Sequence, residues 1–170
     1  MEETILTDNG ELQRLLGYFK QHLRITTDDA DVDLRSKLAS ALSSVGHDVN
    51  RVLGSSTVTA TAVVSSVSGS ICLRLRGPVQ RIVSVSVNGV SLPDTDYSIA
   101  GNRLQITGDY VDVLVEVVYR AGYVDIPADM WEAVCLRGAG SYANPLDSIM
   151  ERQRASDVLI RAYRYRDWIS

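Results

Sequence analysis

The spacing of apolar residues changes twice along this chain, and those changes limit what it can fold into. Up to about residue 54, and again from about residue 127, apolar side chains recur at helical spacing. Between these parts, residues 55–123 alternate apolar and polar side chains, as strands with one buried face do. The pattern predicts an α+β fold: N-terminal helices, a central antiparallel β-hairpin block and C-terminal helices. We expect a single domain over 1–170, with a helical core at 10–54 and 127–169.

Two helices are predicted before the β block. The first covers residues 10–23, and the second runs from about Asp28 to Val52 with apolar residues along one face. Gly54 follows the second helix and is suited to ending it.

The β block contains two predicted hairpins and a closing strand. Asn88-Gly89 supplies the positive φ angles of a tight turn, and Ala100-Gly101-Asn102 indicates a second one. Two strands each place alternate residues on one face: Val83, Val85 and Val87 in the first, and Val111, Val113, Val115, Val117 and Tyr119 in the second.

The Ser/Thr-rich stretch at 55–70 leaves two interpretations open. It is typical of a loop or an ordinary edge strand. It also suits a strand that pairs with a neighbouring subunit, because an exposed edge offers free backbone donors and acceptors.

A last helix is predicted from about Asp147 to Ile169. Its apolar positions fall at alternating three- and four-residue steps: Ala155, Val158, Ala162, Tyr165 and Ile169. Its C-terminal part interleaves arginine with aromatic residues, the types enriched at interface hot spots. We therefore predict a partner-docking surface formed by Arg154, Arg161, Tyr163, Arg164, Tyr165 and Trp168. An amphipathic helix folded on its own core, or stacking on nucleic-acid bases, are the alternatives.

Several fragments imitate catalytic or metal-binding motifs without meeting their requirements. The glycines of 138–143 lie inside a helical pattern, whereas a dinucleotide-binding loop must follow a strand. The acidic run from Asp29 places Leu34 where a calcium loop needs glycine. His22 and His47 have no recognisable catalytic partners. We expect no enzyme activity, no cofactor and no metal site.

Composition narrows the function classes further. The formal net charge of −4 argues against nucleic-acid binding as the main activity, and residues 1–33 carry eight acidic residues against three basic ones. Arg74 and Arg76 lie on one face of a predicted strand, which suits charge exposed to solvent, a subunit contact or the wall of a DNA channel.

Cys72 and Cys135 are expected to be reduced thiols in a cytoplasmic context. No signal peptide or membrane-spanning run is recognised, so no membrane partner is expected.

The order of these patterns resembles the head–tail connector (adaptor or head-completion) proteins of tailed bacteriophages. Residues 19–45, "FKQHLRITTDDADVDLRSKLASALSSV", resemble the family's opening helix, acidic turn and long helix. Residues 76–142 resemble its second half, from "RGPVQRIVSVSVNG" to "VEVVYRAGYVDIPADMWEAVCLRGAGSY". The last helix and residues 55–70 depart from the family pattern.

The resemblance implies a homo-oligomeric ring, commonly twelvefold, that binds the portal protein after DNA packaging. The ring would offer a docking surface to the tail or to the next neck protein, and DNA would pass through it without sequence recognition. It implies a structural protein of the virion neck that is assembled in the host cytoplasm. A monomeric protein- or sugar-binding module, in a virion or in the bacterial cytoplasm, is the alternative.

The resemblance also assigns the "YRAGYVDIP" segment to a structural corner where the chain returns from the strands to the helices. Tyr119 and Tyr123 would pack over the joint, Gly122 would permit the tight path, and Pro127 would open the next helix.

Overall fold

The computed structural model describes residues 1–65, 69–143 and 149–164. Apart from one strand at residues 2–7, helices precede and follow the strands of two antiparallel sheets, which confirms the predicted α+β class. The chain divides into two compact units. Residues 1–7 and 55–122 form one, here called the β unit; residues 8–54, with the described residues from 123 onward, form the other, here called the helical unit.

The β unit contains a five-stranded sheet of order β1-β2-β8-β4-β5 and a three-stranded sheet of order β3-β7-β6. The strands are β1 Glu2–Thr7, β2 Ser56–Val64, β3 Ser70–Arg74, β4 Val79–Val87, β5 Val90–Ser91, β6 Tyr97–Ala100, β7 Arg103–Thr107 and β8 Val113–Ala121. Every second residue of β8 is buried, as the alternation predicts. Leu104 and Ile106 of β7 are fully buried as well.

Both predicted hairpins are present in the β unit. Asn88 and Gly89 have φ angles of 51° and 79° and connect β4 to β5. The Asn88 side chain also accepts a hydrogen bond from the Leu114 N–H at 2.8 Å, which ties the turn to β8. Gly101, at φ 59°, lies in the turn between β6 and β7.

Two predicted strand faces are wrong at one residue each. Val83 is 50% exposed because a register shift between Ile82 and Ser84 removes it from the face that Val85 and Val87 share. Val111 is 69% exposed because β8 begins only at Val113, after Asp112 has taken a positive φ.

Residues 56–64 of the Ser/Thr-rich stretch form an inner strand, so the interpretation of this part as a loop or an edge strand is wrong. Residues 66–68 of the stretch lie outside the described residues. β2 pairs with β8 on one side and with β1 on the other. Residues 2–7 supply the covering strand, which the sequence analysis did not predict. The only signal in the sequence was the β-branched pair Thr4 and Ile5, which is weak by itself.

The helical unit contains α1 Asn9–Leu23, α2 Asp31–Asp48, α3 Ala128–Ala143 and α4 Ile149–Arg164. Its core is formed by leucines and valines of α1 and α2 with Phe19, Met130 and Ile160. Gly138 of α3 lies against Phe19, so closely that a Cβ there would be 2.7 Å from the Phe19 Cζ atom. Gly138 therefore permits the close packing of α3 against α1.

α2 is shorter than the apolar stripe predicted. It ends at Asp48 because Asn50 takes a left-handed conformation, with φ 52°, and the Arg51 N–H donates to the Gly46 carbonyl at 2.8 Å. Val49 and Val52 stay buried although they lie beyond the helix. At the start of α2, Asp28 and Asp31 each lie 2.6 Å from the Lys20 ammonium, so this acidic segment is tied to α1.

The apolar stripe predicted for the last helix is wrong over its described part. Ala155, Val158 and Ala162 are exposed, and Val158 is 72% exposed. The buried side instead carries Ser156 and Ile160, with Leu159 and Tyr163 packed against the core. Leu159, Ile160 and Tyr163 offer more apolar surface than the predicted stripe, and a polar cluster described below holds the same side inward. Residues 165 and 169 of the stripe lie outside the described residues.

Candidate partner-binding surfaces

The predicted docking residues on α4 divide into two groups. Arg154 and Arg161 are exposed, and with Val158 they lie on one side of the helix. Tyr163 packs against the helical core, and Arg164 forms ion pairs within the unit. Tyr165 and Trp168 lie outside the described residues.

Arg137 is the centre of the cluster that orients α4, and sequence reasoning missed it. Its guanidinium donates to Ser44 at 2.5 Å and to Asp48 at 2.6 Å on α2, and to Ser156 at 2.9 Å and Asp157 at 2.8 Å on α4. The Arg137 side chain is only 8% exposed, so its charge needs these partners.

Arg164 completes the cluster from the end of α4. It donates to Asp48 at 3.0 Å and to Asp157 at 3.1 Å, so two arginines share two carboxylates. Burial raises the pKa of Asp48, but hydrogen bonding and charge from Arg137, reinforced by Arg164, outweigh it and hold that pKa below its usual value. The available signal was the four-residue spacing of Ser44 and Asp48, which places both on one face of α2.

Because the cluster fixes which side of α4 faces α3, the opposite side is left uncovered. We call this side the α4 face: Val158, flanked by Arg154 and Arg161, with Ala155 and Ala162 beside it. It combines an apolar centre with two cations, which is a common composition for a helix that docks into a groove.

A second surface feature of the helical unit is a groove of about 420 Å³ along α1. Its lining includes Tyr18 and His22 of α1, and Asp125, Ile126 and Trp131 from the segment that enters α3. Tyr18 is 48% exposed, while Ile126 and Trp131 pack against the helical core and are half-buried. We call this feature the α1 groove.

Arg14, His22 and Asp125 line the α1 groove, and the carboxylates of Glu11 and Glu132 lie beside Arg14 and His22. Its own arginine, Arg14, is neutralised by Glu11, which accepts two hydrogen bonds at 2.8 and 2.9 Å. The Arg14 guanidinium also lies over the Tyr18 ring, 5.7 Å from its centroid. Asp125 lines the groove, and Glu132 lies 4.0 Å from the His22 Nδ1 atom.

Arg74 and Arg76 of the β unit differ in environment. Arg74 is exposed on β3 and lies directly opposite Arg103 of β7. Arg76 follows the strand, is half-buried and lies 3.9 Å from the Glu3 carboxylate. Arg74 is therefore the more exposed of the two arginines.

The two tyrosines of the corner belong to different units. Tyr119 is fully buried in the β unit, where its hydroxyl accepts from the Arg76 N–H at 3.1 Å and donates to the Arg76 carbonyl at 3.3 Å. Burial, and secondarily the charge of Glu3, raise the pKa of Tyr119 to about 12. Tyr123 packs against the helical core, and its N–H donates to the Leu53 carbonyl at 3.0 Å.

Gly122 and Pro127 mark the two ends of the corner. Gly122 has a φ of 119° and its N–H donates to the Pro78 carbonyl at 2.9 Å, a conformation that glycine adopts readily. Pro127 precedes α3, and its carbonyl accepts the first helical hydrogen bond, from Trp131 at 2.9 Å. Each end is thus fixed by a backbone hydrogen bond in its own unit.

In the described parts of the chain, no three His, Cys, Asp or Glu side chains are gathered as a metal site requires. None of the four helices, over the ranges given above, has the length and apolar content for crossing a bilayer. Both cysteines are free; Cys72 is exposed, and burial raises the pKa of the Cys135 thiol to about 12.

The fold is similar to chains of gene transfer agent particles over almost its full length. A chain in the neck of the empty particle, computed with C6 symmetry, is 19% identical with a TM-score of 0.75. A chain in the neck of the native particle, computed with C12 symmetry, is 18% identical with a TM-score of 0.72. A chain in the virion of the native particle is 19% identical with a TM-score of 0.71. Each match covers 96% of this chain and 95% of the other.

No protein-family model and no curated protein sequence matches this chain. The structural matches, at this level of identity, show a shared fold.

Proposed function

We propose that this chain is a structural, non-enzymatic subunit of the neck of a phage-like virion, where its copies form a homo-oligomeric ring. The observation that carries the proposal is the near-complete fold match to chains in gene transfer agent necks. The C6 and C12 symmetries of those necks favour a ring of identical subunits. The motif order that resembles phage connectors supports the same function independently of the fold.

Within that neck, the ring binds the portal after DNA packaging and offers a docking surface to the tail or to the next neck protein. The β unit and the helical unit act together as one connector domain. The exposed arginines of α4 provide a contact within the neck, and Tyr165 and Trp168 contact the portal. Arg74 gives a weak, salt-sensitive contact with passing DNA, because each subunit contributes few basic residues there.

Binding to the portal tests the assignment directly. Purified chain is mixed with the portal of the same particle, and complexes are separated by size exclusion and weighed by native mass spectrometry. We expect many copies of the chain to elute with each portal. Separate elution of a monomer at every concentration would refute the neck assignment and favour the monomeric binding module.

A shortened chain tests the portal contact at the C-terminus. A cut after Ser156 would also remove Ile160 and Arg164, which the helical unit uses for its own core and polar cluster. A variant ending at Arg164 removes only residues 165–170. We expect it to keep its circular dichroism spectrum and to lose portal binding, and unchanged binding would place the portal contact elsewhere.

A further inference from the structure

The α4 face has the composition of a buried contact but is exposed in a single copy of the chain. Val158 is 72% exposed between two exposed arginines, and the small side chains of Ala155 and Ala162 leave room for close approach. An apolar strip at helical spacing with flanking cations suits a helix that lies in a groove with acidic rims.

The α1 groove offers the matching chemistry on the same unit. Apolar surface from Tyr18, Ile126 and Trp131 lines it, and its volume of about 420 Å³ is ample for a valine side chain. With Arg14 neutralised by Glu11, the carboxylates of Asp125 and Glu132 are left to attract an incoming cation.

The spacing of the charges on α4 fits a contact of this kind. Arg154 and Arg161 are seven residues apart, about 10 Å along the helix axis, so the two cations flank the inserted valine. The α4 face and the α1 groove share no residue and lie on different helices. Contacts between two different surfaces of identical subunits are head-to-tail, which is the type that closes into rings.

We propose that the α4 face of one copy docks into the α1 groove of the next copy and so forms a subunit contact of the ring. This inference rests on the proposed function, because it names the partner of a surface that a neck ring would use. Val158 enters between Tyr18 and Trp131, while Arg154 and Arg161 lie near Asp125 and Glu132 of the neighbouring copy.

A single substitution at the centre of the face tests the contact. Val158→Asp places a carboxylate against the acidic groove, and we expect ring assembly to weaken about tenfold or more, as at interface hot spots. Val32→Asp is the matched control, since Val32 is a helical valine of the same unit, 86% exposed, outside both surfaces. Sedimentation velocity across a concentration series, with and without portal, measures assembly.

Charge reversal tests which partner the α4 face has. We expect R154E/R161E to lose assembly, D125R/E132R to lose it as well, and the variant that carries all four changes to regain it. Recovery in the fourfold variant requires the two surfaces to meet, and a general loss of folding would not produce it. Circular dichroism of each variant confirms that the helices are retained.

The outcomes separate this inference from the proposed function. If V158D and R154E/R161E form rings as the unchanged chain does, the subunit contact is wrong and the neck assignment stands. If these variants form rings but no longer bind the portal, the α4 face belongs to the portal and the inference is equally wrong. If the unchanged chain forms no ring with or without portal, the proposed function fails and the inference fails with it.

Discussion

In the β unit nearly all of the described buried residues are apolar, whereas in the helical unit the contact of α2, α3 and α4 contains a polar cluster around Arg137. The strands need only alternation to choose their buried faces, since each residue has two possible sides. A helix with apolar residues on two sides has no such simple rule. On the buried side of α4, hydrogen bonds of Ser156, Asp157 and Arg164 accompany the apolar contacts, and Val158 is left exposed.

The difference has a functional consequence. The buried side of α4 also carries Leu159, Ile160 and Tyr163, so its apolar contacts and the polar cluster favour the same side. Val158 is left on the opposite side, where it is exposed. Buried polar contacts can thus help to hold an element in an orientation that presents an apolar residue to a partner.

Arg137→Leu should have the largest effect on stability, and the effect should be confined to the helical unit. Removing Arg137 leaves Asp48 and Asp157, both partly exposed, paired with Arg164 alone, and we expect a loss of about 2–3 kcal/mol in the free energy of unfolding. Denaturant unfolding measures the loss, and hydrogen exchange should show it in α2, α3 and α4 and not in β2 or β8. Arg161→Leu, at an exposed position, should change stability by about 0.5 kcal/mol or less.

Gly138→Ala tests packing inside the helical unit. The added Cβ would lie 2.7 Å from Phe19, and relieving that overlap should cost about 1–3 kcal/mol of stability. Gly17→Ala, on the open side of α1, is the matched control because a Cβ there meets nothing within 4 Å. It should stabilise the protein by up to about 1 kcal/mol. Equal effects of the two changes in thermal unfolding would contradict the packing of α1 against α3.

Tyr119→Phe tests the main polar contact in the core of the β unit. The change keeps the ring and removes the hydroxyl that both accepts from and donates to the Arg76 backbone. We expect a loss of about 1–2 kcal/mol, seen as faster hydrogen exchange in β4 and β8. Tyr97→Phe removes a hydroxyl bonded to exposed Asp94 and should have almost no effect, so a comparable loss there would argue against a special role for Tyr119.

The dependence of stability on pH gives the smallest expected effect. The folded-state pKa of Asp48 is depressed by its arginines, so its contribution is present above the unfolded pKa of about 3.9 and is lost as pH falls through the folded value. The helical unit should therefore lose stability below about pH 4. Asp48→Asn should flatten that part of a denaturant-unfolding series against pH. An unchanged slope would show that Asp48 is not held by Arg137 and Arg164.

Much of the fold could be predicted because the signals were local. Asn88-Gly89 and the alternation around Val115 and Val117 each act within a few residues, and the structure has the hairpin and the strand they predict. β1 was missed because six residues at a chain terminus give little pattern until their partner strand is known. The buried side of α4 was missed because Arg137, Ser44 and Ser156 come together only in the folded chain.

The candidate surfaces were predictable only in part for the same reason. Residue type alone pointed to Arg154 and Arg161, which are exposed, but also to Tyr163 and Arg164, which the helical unit uses internally. The α1 groove draws on residues more than one hundred positions apart, such as Tyr18 and Trp131, and no local pattern joins them.

Electron microscopy of the purified chain, alone and mixed with its portal, tests the central claim most directly. The account predicts rings of identical subunits, or added ring density at one end of the portal, with the symmetry of the portal or a simple divisor of it. Uniform small particles in both samples would contradict it, and the search for a ligand would then move to the β unit.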